Sequence, residues 1–399
     1  MARRTVSLET VVIPSTQRAP AYRRDRVTWA SFGVLLAFGV LNAGLGPALP
    51  YLRHVEHVGY LGGVLHQVAF AIGGGLAGLL IARAPRMPPR TLVIRGGLLG
   101  AALAWLAVGY GNRLPVTAAG AFAVSFLGTA ALIRVWAVLA DEHGERRAVA
   151  MSEGEVAVSL GGVVSPLLVS VAAGSALDWH GAFLFASVVV AVAVSVTMPV
   201  RLPPALPGRA AGPDIVAGDR RRLPPTLVIV FAIVGLEFAL SFWLASYLGE
   251  DVGMRRSDAA AMVSALYLAN LVGRLVAGRL AHTVAASRLL GGALAVALLG
   301  LPVLLAATGA VVALVGLAIA GIGIGATFPL TSALHVAASP HSADGAIGQV
   351  LAVASIGQIA GPVVVAALAQ QFGLRTGMVT LVALTLLAAA ALRWQLGRL

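Results

Sequence analysis

The sequence predicts an all-α polytopic membrane protein in which twelve transmembrane helices form two pseudo-symmetric six-helix bundles. Three observations carry this prediction. Of 399 residues, 59% are hydrophobic and 11% charged, whereas a soluble domain is about half apolar and about a quarter charged, so the apolar surplus must face lipid. The apolar residues fall into about twelve runs of roughly 20, the length that crosses the hydrocarbon core as a helix. A break rich in Pro, Gly and Arg divides those runs six and six.

Residues 1–26 are polar, contain Pro14 and Pro20, and precede an apolar stretch too long for a cleaved signal sequence, so they read as a cytoplasmic tail. In the first bundle, 27–200, the spans cover roughly 28–49, 61–82, 91–110, 116–140, 150–172 and 181–200. Residues 201–225 form a cytoplasmic linker. In the second bundle, 226–399, the spans cover roughly 226–248, 259–279, 288–307, 311–336, 346–369 and 376–394. Gly and Pro inside these spans are tolerated because neighbouring helices re-satisfy the backbone, and small residues let helices approach closely in lipid.

The net charge is +12, and all 28 basic residues are arginine. With the amino terminus inside, twenty arginines fall in inside segments, five outside, and three (Arg95, Arg134 and Arg274) within spans. This bias is the positive-inside pattern of a cytoplasmic (inner) membrane protein with both termini in the cytoplasm. It makes nucleic acid an unnecessary partner. The absence of lysine excludes Schiff-base catalysis and a Walker-type phosphate loop. The absence of cysteine excludes disulfides, thiolate catalysis, iron–sulfur clusters and cysteine-ligated zinc. Neither His-Glu-x-x-His, Asp-x-Asp, Gly-x-Ser-x-Gly nor a nucleotide-binding loop occurs, so neither an enzyme nor a cofactor is expected. His54-Val-Glu56-His57 has metal-ligating residue types but no further ligand nearby, and no metal site is assigned.

The halves share an internal pattern. Gly161, three residues, then Ser165-Pro166 match Gly357, three residues, then Gly361-Pro362, at a constant offset of 196. The same offset sets Glu153 opposite Gln349, and the eleventh span adds Gly348. Glycine admits a close neighbour and proline bends the span, a pattern that serves either transport or ordinary small-residue packing. A second repeat follows spans two and eight, where Gly78 precedes Ala82-Arg83-Ala-Pro-Arg86-Met-Pro-Pro-Arg90 and Gly278 precedes Arg279-Leu-Ala-His282-Thr-Val-Ala-Ala-Ser-Arg288.

With Gly44-Leu-Gly-Pro47-Ala-Leu-Pro50, Asp141-Glu-His-Gly-Glu145-Arg146-Arg147-Ala148 and Trp179-His-Gly-Ala-Phe183, these features resemble the major facilitator superfamily of secondary transporters over residues 27–395. Ala82 and His282 stand where the family's loops carry an acid, Ala121 stands near its fourth-span arginine, and Ser165 replaces a glycine of its exporter pattern. The resemblance implies two bundles rocking about a central site in alternating access, with no enzymatic step. The expected activity is proton-coupled antiport (efflux) of a small organic molecule by a monomer, with protons and membrane lipid as the other partners. A proton-coupled importer of a small organic anion, with Arg134 as substrate clamp, is the alternative within this class. A polytopic membrane enzyme or lipid-handling protein is the alternative outside it.

An ionisable group at mid-membrane costs about 2.5 to 3.5 kcal/mol, so each needs a partner or a task. Glu237, near the middle of span seven, is either a proton carrier or a protonated donor of one interhelical hydrogen bond. Arg134 lies at a depth similar to that of Glu153 and Glu155, so it is expected to pair with one of them, as a switch or as a static bridge. Asn42, His66, Gln67, Trp136, Ser241, Trp243, Tyr267, Asn270, Gln349 and Gln358 either line the substrate path or bond helices together. His66 has the side chain that titrates near neutral pH. Arg95 and Arg274, nearer span ends, are expected to snorkel.

Overall fold

The computed structural model describes residues 23–83, 88–203, 224–339 and 343–397. Among them are thirteen α-helices and no strand. Eleven segments are long and apolar enough to span a membrane, and a shorter apolar helix supplies the twelfth crossing.

The first crossing departs from the simple run predicted for 28–49. It consists of α1 (Arg26–Ala43) and α2 (Leu45–Glu56), interrupted at Gly44. Asp25 caps α1 through its carboxylate, which accepts the Thr28 amide at 2.8 Å. Tight packing surrounds the break. A Cβ on Gly44 would lie 2.5 Å from the Trp105 ring, and one on Gly46 2.3 Å from the Ser241 carbonyl oxygen.

The amino-terminal half continues with α3 (Tyr60–Arg83), α4 (Arg90–Tyr110), α5 (Leu114–His143), α6 (Arg147–Ala173) and α7 (Gly181–Thr197). Helix α7 ends at Thr197, short of the predicted 200, and Arg95 does not snorkel but turns to that end. Its guanidinium donates to the carbonyls of Thr197 at 2.6 Å and Val200 at 3.2 Å, satisfying groups left open at a helix C-terminus. The carboxy-terminal half comprises α8 (Pro225–Glu250), α9 (Arg256–Leu280), α10 (Ala286–Leu305), α11 (Ala310–Ala338), α12 (Ala343–Phe372) and α13 (Leu374–Leu396).

The repeated glycines do matching work in the two halves. A Cβ on Gly161 of α6 would meet the Leu36 carbonyl of α1 at 2.2 Å, and one on Gly357 of α12 the Phe231 carbonyl of α8 at 2.6 Å. A further correspondence was not apparent from the sequence. The Thr28 hydroxyl lies 2.8 Å from His143 Nε2, joining the start of α1 to the end of α5, while the Thr226 hydroxyl lies 2.7 Å from His335 Nδ1, joining the start of α8 to α11.

The halves meet where α6 faces α9, α3 faces α12, and α2 faces α8 and α9. The end that carries the arginine-rich turns, the α3–α4 and α9–α10 connections among them, is called the basic end below; the other is the far end. Close contacts between halves mark the far end and the mid-depth of the bundles. Arg53 of α2 donates to Glu250 of α8 at 2.8 Å, the Tyr60 hydroxyl bonds the same carboxylate, and the Tyr60 amide donates to Gln370 of α12 at 3.1 Å. Nearer the centre the Ser264 hydroxyl of α9 donates to the Val163 carbonyl of α6 at 2.7 Å. Glu155, two turns before the packed Gly162 on the same face of α6, has a side chain 56% exposed.

Candidate functional site

Three residues of α9, spaced three and four apart, present one face to the centre of the molecule: Tyr267, Asn270 and Arg274. Opposite them, half-way along α8, stands Glu237. Asn270 Nδ2 donates to Glu237 Oε1 at 3.4 Å, and Arg274 Nη2 lies 3.6 Å from the same oxygen. Arg274 Nη1 lies 3.9 Å from Glu155 Oε2, across the interface on α6. The guanidinium is anchored by its Nε, which donates to the Gly325 carbonyl of α11 at 3.2 Å. One cation therefore sits between two carboxylates, one in each half. Neither distance is a direct hydrogen bond, so the guanidinium can tighten on either acid without leaving its anchor.

Adjoining this cluster towards the far end is a small pocket between the halves. Asn42, Gln67, Ser241 and Tyr267 supply its polar groups, and Phe70 and Phe238 are among its apolar walls. Gln67 is buried, and its Nε2 has no hydrogen-bond partner. A buried donor left open in an aromatic pocket is a point at which a bound molecule can be oriented.

Six of the residues chosen from the sequence thus gather around one site: Glu237, Asn42, Gln67, Ser241, Tyr267 and Asn270. Glu155 joins them through Arg274, which sequence reasoning had dismissed as a snorkelling residue. Its signal was its place on the Tyr267–Asn270 face.

Other expectations are corrected. Arg134 pairs with neither Glu153 nor Glu155; its Nη2 donates to the Pro88 carbonyl at 3.0 Å, at the basic end. Glu153 is bound in bidentate fashion by Arg24, at 2.6 and 2.8 Å. His66 does not line the pocket but is buried against Glu56 and Thr117 near the far end. That inward turn of Glu56 also separates it from the exposed His54 and His57. Trp136 packs at Gly154 inside the amino-terminal half. Trp243 donates from Nε1 to the Pro362 carbonyl at 3.0 Å, fixing α8 to α12. Gln349 Oε1 accepts a hydrogen bond from His335 Nε2 at 3.2 Å, and Gln358 lies half-buried on α12 outside the pocket lining.

Twelve crossings in two halves with a polar cluster at their interface define a multi-pass membrane transporter. The chain belongs to the Major Facilitator Superfamily, whose family model matches residues 27–349. No curated protein matches it significantly. Solved structures with the same fold include a bacterial homologue of the human lysosomal transporter Spinster in an inward-facing, unoccupied conformation (TM-score 0.76, 17% identity, 94% of this chain and 98% of that one). The nucleoside transporter NupG is similar at TM-score 0.69 and 11% identity, over 94% of this chain and 99% of that one. The human organic anion transporter MFSD10 is similar at TM-score 0.69 and 20% identity, over 93% of this chain and all of that one (100%).

Proposed function

We propose that this transporter is a proton-coupled antiporter that exports a small organic molecule, with its basic end and both termini in the cytoplasm. The observation that carries the proposal is the position of Arg274 between Glu237 of its own half and Glu155 of the other. When Glu237 is ionised, it competes with Glu155 for Arg274; when Glu237 takes a proton, that competition is lost and Arg274 is free to tighten on Glu155 across the interface. Rocking of one half against the other changes the Arg274–Glu155 separation and leaves the Arg274–Glu237 pair within one half. Protonation and conformation are therefore linked through a single guanidinium.

The molecule carried sits in the pocket of Asn42, Gln67, Phe70, Phe238, Ser241 and Tyr267, one turn from Glu237. Ligand and proton compete because both act on that acid. One chain holds both bundles and the complete cluster, so a monomer suffices. Export is proposed in preference to import of an organic anion, whose expected clamp, Arg134, donates to the Pro88 carbonyl. The test is purified protein in liposomes: a ligand selected by thermal stabilisation should accumulate against its gradient when a pH gradient is imposed, and equilibration without accumulation would refute exchange.

A further inference from the structure

Near the far end, away from the pocket, Glu56 of α2, His66 of α3 and Thr117 of α5 form a buried polar triad. The side chains of Glu56 and His66 are both 0% exposed and lie 3.2 Å apart, Oε1 to Nε2. His66 Nε2 also lies 2.9 Å from the Thr117 hydroxyl, which in turn donates to Glu56 Oε1. His66 Nδ1 is 3.0 Å from the Gly63 carbonyl, an acceptor, so Nδ1 carries a hydrogen. With Nδ1 protonated, the remaining edge of the imidazole faces the carboxylate and the hydroxyl. That contact needs one further proton, held either on Nε2 as an imidazolium–carboxylate pair or on Glu56 as a neutral acid facing a neutral ring. Without it, lone pairs confront one another in a site closed to water. Glu56 Oε2, buried and without a partner, is an open position for a second proton.

We propose that Glu56, His66 and Thr117 form a proton-binding site, distinct from the central cluster, whose occupancy sets how firmly the far end closes. The connection is short. Arg53 lies one turn before Glu56 on α2, and Tyr60 begins the helix that carries His66. The Arg53 guanidinium stacks on the Tyr60 ring at 4.1 Å, and both residues hold Glu250 of the opposite half. The triad fixes α2 to α3 and α5, and thereby fixes the base from which Arg53 and Tyr60 reach across. The other charged and titratable groups at this end include His54 and His57 with Arg53 on α2, Tyr60 on α3, Tyr110 ending α4, Arg113 before α5, and Asp178 and His180 before α7, with Glu250, Asp251, Arg255, Arg256, Asp258 and Arg375 on the opposite half. The side chains of His54, His57, Tyr110 and Arg113 are exposed, and Arg53, Tyr60 and Glu250 are bound to one another.

One proton satisfies the triad. Its loss leaves a buried carboxylate against a neutral ring, and a second leaves a buried imidazolium against a neutral acid. Closure is therefore strongest over a middle range of pH and weaker on both sides. The proposal does not depend on whether Glu237 carries the transported proton.

The chain has no cysteine, so spin labels can be attached at Asn112→Cys and Thr308→Cys, at far-end turns of opposite halves, and their separation measured by pulsed electron resonance across pH in lipid nanodiscs. The expected result is a short distance in the middle range, with a longer population appearing as pH is raised or lowered. The isosteric Glu56→Gln should lose that profile, as should His66→Gln, while Glu155→Gln/Glu237→Gln should retain it. A parent whose far-end distance is independent of pH overturns the proposal, as does a profile retained in Glu56→Gln or lost only in the central variant. Should either triad variant fail to fold, the parent and the central variant still decide between the two sites.

Discussion

Arg274 of α9 reaches across the interface to within 3.9 Å of Glu155 on α6 while its Nε stays hydrogen-bonded to the Gly325 carbonyl of its own half. A cation anchored on one side and loosely held on the other is suited to sensing the charge of its distant partner. Its strength depends on how much water reaches the gap, so conformation as well as protonation tunes it.

Removal of Arg274 should leave Glu237 beside a single amide donor. Arg274→Gln is predicted to lower stability by about 1–3 kcal/mol, discounted for partial exposure of both groups. The double variant Arg274→Gln/Glu237→Gln should recover most of that loss, because no uncompensated charge remains. Thermal unfolding in detergent measures both; a double variant less stable than Arg274→Gln would contradict the pairing.

Replacing Glu237 by Gln keeps the shape of the side chain and its contact with Asn270 but removes the titrating group. Counterflow of ligand across liposome membranes should persist, whereas accumulation driven by a pH gradient should cease. Unchanged accumulation would remove Glu237 from the coupling.

Two ion pairs at the basic end should differ in worth. Arg90 and Asp141 are nearly buried (6% and 13% exposed), and Arg90→Ala should cost about 3–5 kcal/mol by stranding a carboxylate. Arg24 and Glu153 are exposed (51% and 28%), and Arg24→Ala should cost less than about 1 kcal/mol. Arg134→Glu should not be rescued by Glu153→Arg, since those residues do not meet. Equal losses in Arg90→Ala and Arg24→Ala would be inconsistent with the burial of these pairs.

Gly46 should be required for far-end closure, because a Cβ there would come within 2.3 Å of the Ser241 carbonyl oxygen. Gly46→Val should hold the halves apart, so that a cysteine introduced at Ser241 reacts faster with a membrane-impermeant thiol reagent applied from the far side. Labelling at the parent rate would show that the contact is dispensable.

Asp25 provides a pH-dependent term outside the membrane. Burial acts to raise its carboxyl, but hydrogen bonds from the Thr28 hydroxyl and amide outweigh it and hold the group below its ordinary value of 3.8. A depressed carboxyl stabilises the folded state above its unfolded value and loses that contribution as pH falls through the folded one. Asp25→Ala should therefore cost about 1 kcal/mol at neutral pH. The difference from the parent should shrink below about pH 4 in thermal unfolding. A gap that widens on acidification would contradict the cap.

The crossings were legible because lipid demands a long apolar run for each, and Glu237 because a lone acid in such a run stands out. The break at Gly44 was not, since one glycine in a glycine-rich chain has no distinct signature until Trp105 and Ser165 are seen to press on it. Depth along a helix led to the pairing of Arg134 with Glu153 or Glu155, but depth does not fix the direction in which a side chain points. Arg274 was missed for the complementary reason. Its distance from the end of α9 suggested snorkelling, and only the carbonyl of Gly325 and the acids on α6 and α8 turn it inward. His66 likewise depends on two other helices, α2 and α5, that its own span cannot reveal.

The most direct test is proton flux in liposomes holding the purified protein, a pH-sensitive dye and a ligand chosen by thermal stabilisation. Flow of the ligand down its gradient should drive protons the opposite way, and Glu237→Gln should abolish the proton signal while the ligand still exchanges. Ligand movement by the parent protein with no accompanying proton flux would contradict proton-coupled antiport through this cluster.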